Sequence, residues 1–290
     1  MLGFHQDQPS PSRLAFWLEH DFSTGQKSLT NLLQESDAAV SITDVYVHAG
    51  PFNSDGTLPG DLAFSKASPL PESQTKIYAW LGQIRSKIDL EDEAVRQKIL
   101  TSVGLLLDAG FEGIHLDIEP VKQDDAGFFI LLEELHATYP KASLSVAMDE
   151  WQPHGLSQWI ANYYDISIES YWSTEQVENV LPFIDQLVVM TYDTGFKDPR
   201  LYAWWVEQQT IALSNILEGS EVELLIGIPS YSKGSNFDPR AENIATGLKG
   251  FERGVDNLRS AVHSIAGLAI YSYWEMSAEE WEILKTFYKE

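Results

Sequence analysis

Segments of β character alternate with segments of helical character about eight times in 290 residues, and no other feature narrows the fold as far. The β-branched and aromatic runs cover residues 13–19, 42–49, 76–82, 110–120, 143–148, 186–193, 223–229 and 267–275. Helical stretches are read at 26–39, 89–108, 126–138, 201–217, 254–265 and 278–288. The clearest, 89–108, carries Glu91, Asp92 and Glu93 in its first turn, where the helix dipole favours acids. A stripe of Val95, Ile99, Val103, Leu106 and Leu107 follows, and Gly110 stops it. Strand–helix alternation implies a parallel sheet with right-handed crossovers, and eight such units close into a barrel. The alternative, an open doubly wound sheet, carries a Gly-rich phosphate turn after its first strand, and none follows Leu18. The chain therefore reads as α/β, a single-domain (β/α)8 TIM barrel over residues 1–290. Residues 50–71, rich in Gly, Pro, Ser and Asn, read as a long loop, and 149–162 as an elaborated loop with a short helix. Residues 164–171 are a strand candidate with no assigned place.

The fourth run organises the rest. Between Gly110 and Pro120, Ile114, Leu116 and Ile118 alternate with His115, Asp117 and Glu119, the period of a strand with two different faces. Carboxylates two residues apart on one face lie roughly 6–7 Å apart at Cα. Ionised and buried together they repel, so at least one pKa must move. A barrel delivers its chemistry at the C-terminal ends of its strands. The unusual residues gather there: Asp117, Glu119, Met148, Asp149, Tyr192, Asp193, Tyr231, Trp274 and Glu275. Glycosidases use two carboxyls, one kept protonated as the acid. Glu119, last polar residue before Pro120, is placed at the mouth as that donor, and Asp117, one step deeper, stays ionised or shares a proton. Two acids on one strand approach the substrate from the same side. That suits neither a retaining nor an inverting pair, and fits a substrate that supplies its own nucleophile.

Composition removes several other classes. Acidic residues number 43 against 19 basic ones, a net charge of −24. Nucleic acid is thereby excluded as a partner, because phosphate binding needs a basic footprint. There is no Cys, hence no thiol nucleophile or thiolate metal site. No run of about 18 apolar residues occurs, so no membrane span is expected. Met1 to Ser12 is polar and lacks the apolar core of a signal peptide. As written the chain reads as cytoplasmic, or as exported with its leader removed. The expected partner is a carbohydrate substrate; no cofactor and no metal are expected.

Around those residues the chain resembles glycoside hydrolase family 18, the chitinases and endo-β-N-acetylglucosaminidases. Residues Glu112 to Glu119 are similar to the family's Asp-Gly-x-Asp-x-Asp-x-Glu signature on the fourth barrel strand. Met190-Thr191-Tyr192-Asp193 is similar to its sixth-strand Met-x-Tyr-Asp, Gly227 to Tyr231 to its seventh strand, and Trp274 to its eighth-strand tryptophan. The resemblance implies Glu119 as general acid/base and Asp117 as the anion that orients and stabilises the substrate's 2-acetamido group. It implies Tyr192 as a hydrogen-bond donor to that group, with Asp193 and Met190 lining the −1 sugar site and Trp274 stacking on the sugar. Trp274, Asp193, Met190, Met148, Tyr231 and Trp80 are the candidate substrate-binding residues. Two positions depart from the signature. Glu112 stands for the first Asp and His115 for the middle one, which in the family takes the hydrogen bond of the third Asp during the cycle. His115 is therefore expected to bond Asp117 and to alter the proton hand-off. Pro120 also replaces the aromatic common in chitinases.

Three other readings fit parts of the same pattern. Asp117, Glu119 and His115 resemble a ligand set, but alternate positions on one strand rarely converge on one ion. A carbohydrate-binding relative that no longer cleaves is motivated by His115. A conventional glycosidase would need a nucleophile from another strand, with Asp149, Glu150, Asp193 and Glu275 as candidates about 5 Å from Glu119. Trp17, Trp80, Trp151 and Trp172 also read as packing.

Overall fold

The computed structural model describes residues 12–36, 40–64, 70, 73–152, 171–231, 238–258 and 265–289. Eight parallel strands close into a barrel in chain order: β1 (Arg13–Leu18), β2 (Asp44–His48), β3 (Lys76–Ile84), β4 (Gly113–Glu119), β5 (Ser143–Met148), β6 (Gln186–Met190), β7 (Glu223–Pro229) and β8 (Ile265–Tyr271), which pairs back onto β1. Around it run α1 (His20–Ser23), α2 (Leu29–Ser36), α3 (Glu93–Asp108), α4 (Ala126–Thr138), α5 (Thr174–Val180), α6 (Pro199–Ile216), α7 (Ile244–Asn257) and α8 (Ala278–Phe287). The TIM barrel read from the alternation is the observed architecture.

Strand parity sorts the side chains into two layers. Ile114, Leu116 and Ile118 join the large apolar layer between the sheet and its helices. A smaller interior cluster holds Ala15, Trp17, Tyr46, Tyr78, Trp80, Val188, Leu225 and Ala269. At the N-terminal end of the barrel, Arg13 Nη1 donates to both oxygens of the fully buried Asp44 at 3.1 Å and also pairs with Glu223. The helices begin where side chains satisfy their free amides. Asp92, Asp125, Ser173, Asp198 and Asn243 each accept from a first-turn N–H, and Ser277 with Glu280 forms a reciprocal capping box.

Four expectations are corrected. The helix read at 254–265 is instead α7, ten residues earlier, and Ile265 already belongs to β8. Its glycines hid it, since glycine is a poor helix former. They serve close packing: a Cβ on Gly250 would lie 2.3 Å from the Ala203 carbonyl oxygen, and one on Gly254 2.6 Å from Thr210 Cβ, both on α6. β6 stops at Met190, so Tyr192 and Asp193 belong to the loop after it. β8 stops at Tyr271, so Trp274 and Glu275 sit in a short 3-10 turn (Tyr273–Glu275) beyond the strand. α5 was not foreseen; Ser173 caps it and Val177 and Val180 bury it. The readings at 153–162 and 164–170, and parts of those at 65–69, 71–72 and 259–264, lie outside the described residues.

Candidate active site

The interior face of β4 stacks its three polar residues along the barrel axis, and each meets different surroundings. His115, deepest, is fully buried and lies flat on Tyr46, ring centroids 3.9 Å apart. Trp17 Nε1 donates to its Nε2 at 3.1 Å. An indole N–H can only donate, so Nε2 is unprotonated and the ring proton sits on Nδ1. That proton is given to Ser145 Oγ at 2.8 Å, and Ser145 in turn donates to Gln186 Oε1, which also accepts from Tyr46. Burial pushes the imidazole down to about 3, so it stays neutral. Both ring nitrogens are committed, and the expected bond to Asp117 is not made; His115 is a packed, tautomer-locked floor residue.

Asp117 comes next. Trp80 Nε1 donates to its Oδ2 at 2.7 Å. No hydrogen-bond donor among the described residues reaches the buried Oδ1. Gly82 faces Asp117 across the ladder, where a Cβ would come 3.0 Å from the Asp117 carbonyl oxygen. Glu119, at the mouth, has the carboxyls of Asp117, two residues back on β4, and of Asp149, the residue after the neighbouring β5, beside it. Burial and then the charges of Asp117 and Asp149 push Glu119 well above the ordinary range of a glutamate. Burial raises Asp117 too, opposed by the Trp80 and Glu119 hydrogen bonds. Asp149 is pushed up to about 6, chiefly by burial. Behind it, burial takes Glu150 to about 8. Among the described residues no Lys or Arg forms an ion pair with Asp117, Glu119 or Asp149. Three neighbouring carboxyls without a paired cation oppose one another's ionisation, so the cluster holds its protons more tightly than isolated acids would.

Aromatic rings wall this site. Tyr271, last residue of β8, stacks on Tyr192 with centroids 5.3 Å apart and meets Trp17, Trp80, Tyr231 and Trp274 edge-on. The charges of Asp117 and Glu119 act on both Tyr192 and Tyr271. Tyr231 donates to Asp193 Oδ1 at 2.8 Å, while Asp193 holds φ at 59°. Met190 is buried at the inward end of β6.

The structure thus brings together Asp117, Glu119, Tyr192, Trp80, Tyr231 and Asp193. It places Met148 elsewhere: 1% exposed, the side chain packs with Leu144 and Val146 in the layer behind the sheet. Trp274 is 38% exposed and touches the cluster through Tyr271. Three residues were missed as site residues. Asp149 enters the sequence reading as a strand-end acid and as a candidate nucleophile of the conventional mechanism, not among the site residues of the favoured one. Trp17 was read as packing. Tyr271 was passed over for the neighbouring tryptophan, although alternation from Gly267 through Ala269 aims it inward.

No family model and no curated protein matches the chain. Solved structures do. The Legionella pneumophila ChiA C-terminal domain matches with a TM-score of 0.62 at 15% identity, over 96% of this chain and 97% of that one. A chitinase from Chromobacterium violaceum matches at 0.56 and 14%, over 94% and 98%. This chain shares its barrel fold with both. Human YKL-39, described as a pseudo-chitinase with retained chitooligosaccharide binding, matches at 0.53 and 13%, over 91% and 93%. At these identities the likeness is one of fold, and the chemistry rests on the residues.

Proposed function

We propose that the chain is a divergent family 18 glycoside hydrolase that cleaves β-linked N-acetylhexosamine polysaccharide or glycan with help from the substrate itself. The observation that carries this reading is the placement of Glu119 at the strand end, raised by burial and by two neighbouring carboxyls, above an indole-anchored Asp117. Of the two β4 acids, Glu119 keeps the proton and Asp117 the charge. In the first step Glu119 gives its proton to the glycosidic oxygen as the C1–O bond breaks, and the acetamido carbonyl oxygen closes onto C1. Asp117 stabilises the oxazolinium-like cation that forms. In the second, Glu119 takes a proton from water as that water attacks C1 and the bond from C1 to the acetamido oxygen breaks, restoring the acetamide and giving net retention. Tyr192 hydrogen-bonds the acetamido group, and Tyr271 supplies the flat surface beneath the sugar. A conventional retaining pair is disfavoured by placement: Asp149 follows β5, the neighbour of β4, so it and Glu119 rise from adjacent strands on one side of a bound sugar. Glu119→Gln is the test. Turnover of chitotetraose should fall at least about 1,000-fold, by analogy with losing a general acid and its charge stabilisation together; an unchanged rate overturns the assignment.

A binding-only reading is favoured by one observation, the replacement of a titrating group by a locked neutral His115. Calorimetry with chitotetraose followed by product analysis separates the two readings. Binding with no product after prolonged incubation supports the second.

A further inference from the structure

Resting on that reading, we propose that Asp149 is a second holder of the Glu119 proton beside Asp117, a part that His115, deepest on β4, cannot play here. Two geometric facts carry this. The position below Asp117 is occupied by His115, whose Nε2 accepts from Trp17 and whose Nδ1 donates to Ser145. No proton-accepting site is left there for the carboxylates above. Glu119 instead has a carboxyl neighbour on the adjacent strand: β5 pairs with β4 from Gly113↔Ser143 through Leu116↔Val146, and the same register carried on sets Asp149, directly after β5, opposite Glu119. The proton on Glu119 therefore has two acceptors, Asp117 along its own strand and Asp149 across the ladder.

The arrangement has a chemical consequence. An anion at Asp149 keeps Glu119 protonated until a glycosidic oxygen displaces it, and the two carboxyls share whichever proton the second step returns. Other titratable groups face this pair: Asp117 from β4, Glu150 beside Asp149, Tyr171, whose ring feels both Asp149 and Glu150, and Tyr192 and Tyr271 from the opposite wall. None of them is a cation. Asp149 acts through Glu119 and so is a positioning residue.

The experiment is a titration that does not depend on turnover. The side-chain carboxyl carbons of glutamate are labelled with carbon-13, and the Glu119 resonance is assigned by its loss in Glu119→Gln. Its midpoint is then followed by NMR in the full chain and in Asp149→Asn. Removing one charge at contact distance should lower the Glu119 midpoint by about one pH unit or more, and Asp149→Glu should restore most of it. In kinetics on chitotetraose the alkaline limb of kcat/KM should fall by the same amount in Asp149→Asn, with KM changed less than kcat. A midpoint unmoved in Asp149→Asn overturns the inference. Asp149→Ser provides the same measurement should the asparagine variant misfold. A chain that binds sugar without cleaving it still gives this titration, so failure of the hydrolase reading shows in product analysis and failure of the Asp149 role shows in the NMR midpoint.

Discussion

Trp80 Nε1 donates to Asp117 Oδ2 at 2.7 Å, joining the middle of β3 to the polar face of β4. Among the described residues this is the one fixed donor the carboxylate has, since Oδ1 meets none. A hydrogen bond to a charged group contributes roughly 1.5–3 kcal/mol. Trp80→Phe keeps an aromatic wall and removes the donor. Asp117 should then hold a proton more readily, and kcat for chitotetraose should fall about 10- to 100-fold. Steady-state kinetics at several pH values check this; a parallel loss in thermal stability large enough to unfold the chain at assay temperature would trace the effect to packing.

Tyr271 and Trp274 compete for the part of sugar platform. Tyr271 stacks on Tyr192 inside the ring of aromatics, whereas Trp274 lies outside β8 and is 38% exposed. Stacking by an aromatic ring is worth about 0.5–1.5 kcal/mol beyond its buried area. Tyr271→Ala should weaken chitotetraose binding by roughly 10-fold or more, and Trp274→Ala by less than about 5-fold. Isothermal titration of both variants decides, and the reverse order would return the platform to Trp274.

Much of this was legible in the chain. The barrel followed from eight alternations, and the inward face of β4 from the strict period of Ile114, Leu116 and Ile118. Strand ends were harder, because local pattern runs past the last ladder bond: Tyr192 and Trp274 read as strand, yet pairing stops at Met190 and Tyr271. α7 was illegible because its glycines answer to α6, a partner distant in sequence. Met148 follows three β5 residues of alternating direction, and counting parity from Ser145 would have sent it outward. The His115 network joins five strands, so no local window reveals that its nitrogens are spoken for.

That network makes a spectroscopic claim. His115 should appear as the neutral Nδ1–H tautomer, with nitrogen-15 shifts unchanged down to about pH 4. Its folded value lies below its ordinary 6.5. Its contribution to stability is therefore present above pH 6.5 and lost as pH falls toward 3. His115→Leu keeps the volume but strands the Trp17 indole N–H and takes from Ser145 Oγ the bond it accepts, leaving its bond to Gln186, and should cost about 2–4 kcal/mol by urea denaturation. A resonance titrating near 6.5 would show the ring to be solvated.

Glu150 tests the opposite sign. It lies behind Asp149, accepts from Trp205 Nε1 at 3.4 Å, and is pushed by burial, then by Asp149, from 4.5 up to about 8. Below pH 4.5 folded and unfolded chains both hold this proton, so it adds no slope. Between 4.5 and 8 the unfolded chain releases the proton while the folded chain keeps it, so stability falls steadily as pH rises through that window. Above 8 both are ionised and the full penalty is present, on the order of a few kcal/mol. Glu150→Gln preserves shape and the Trp205 contact while removing the ionisation. Its melting temperature should equal that of the parent near pH 4 and exceed it by several degrees near pH 8. Differential scanning calorimetry at the two pH values measures this; a Glu150→Gln variant no more stable than its parent at pH 8 would mean that the carboxylate is ionised and solvated in the fold.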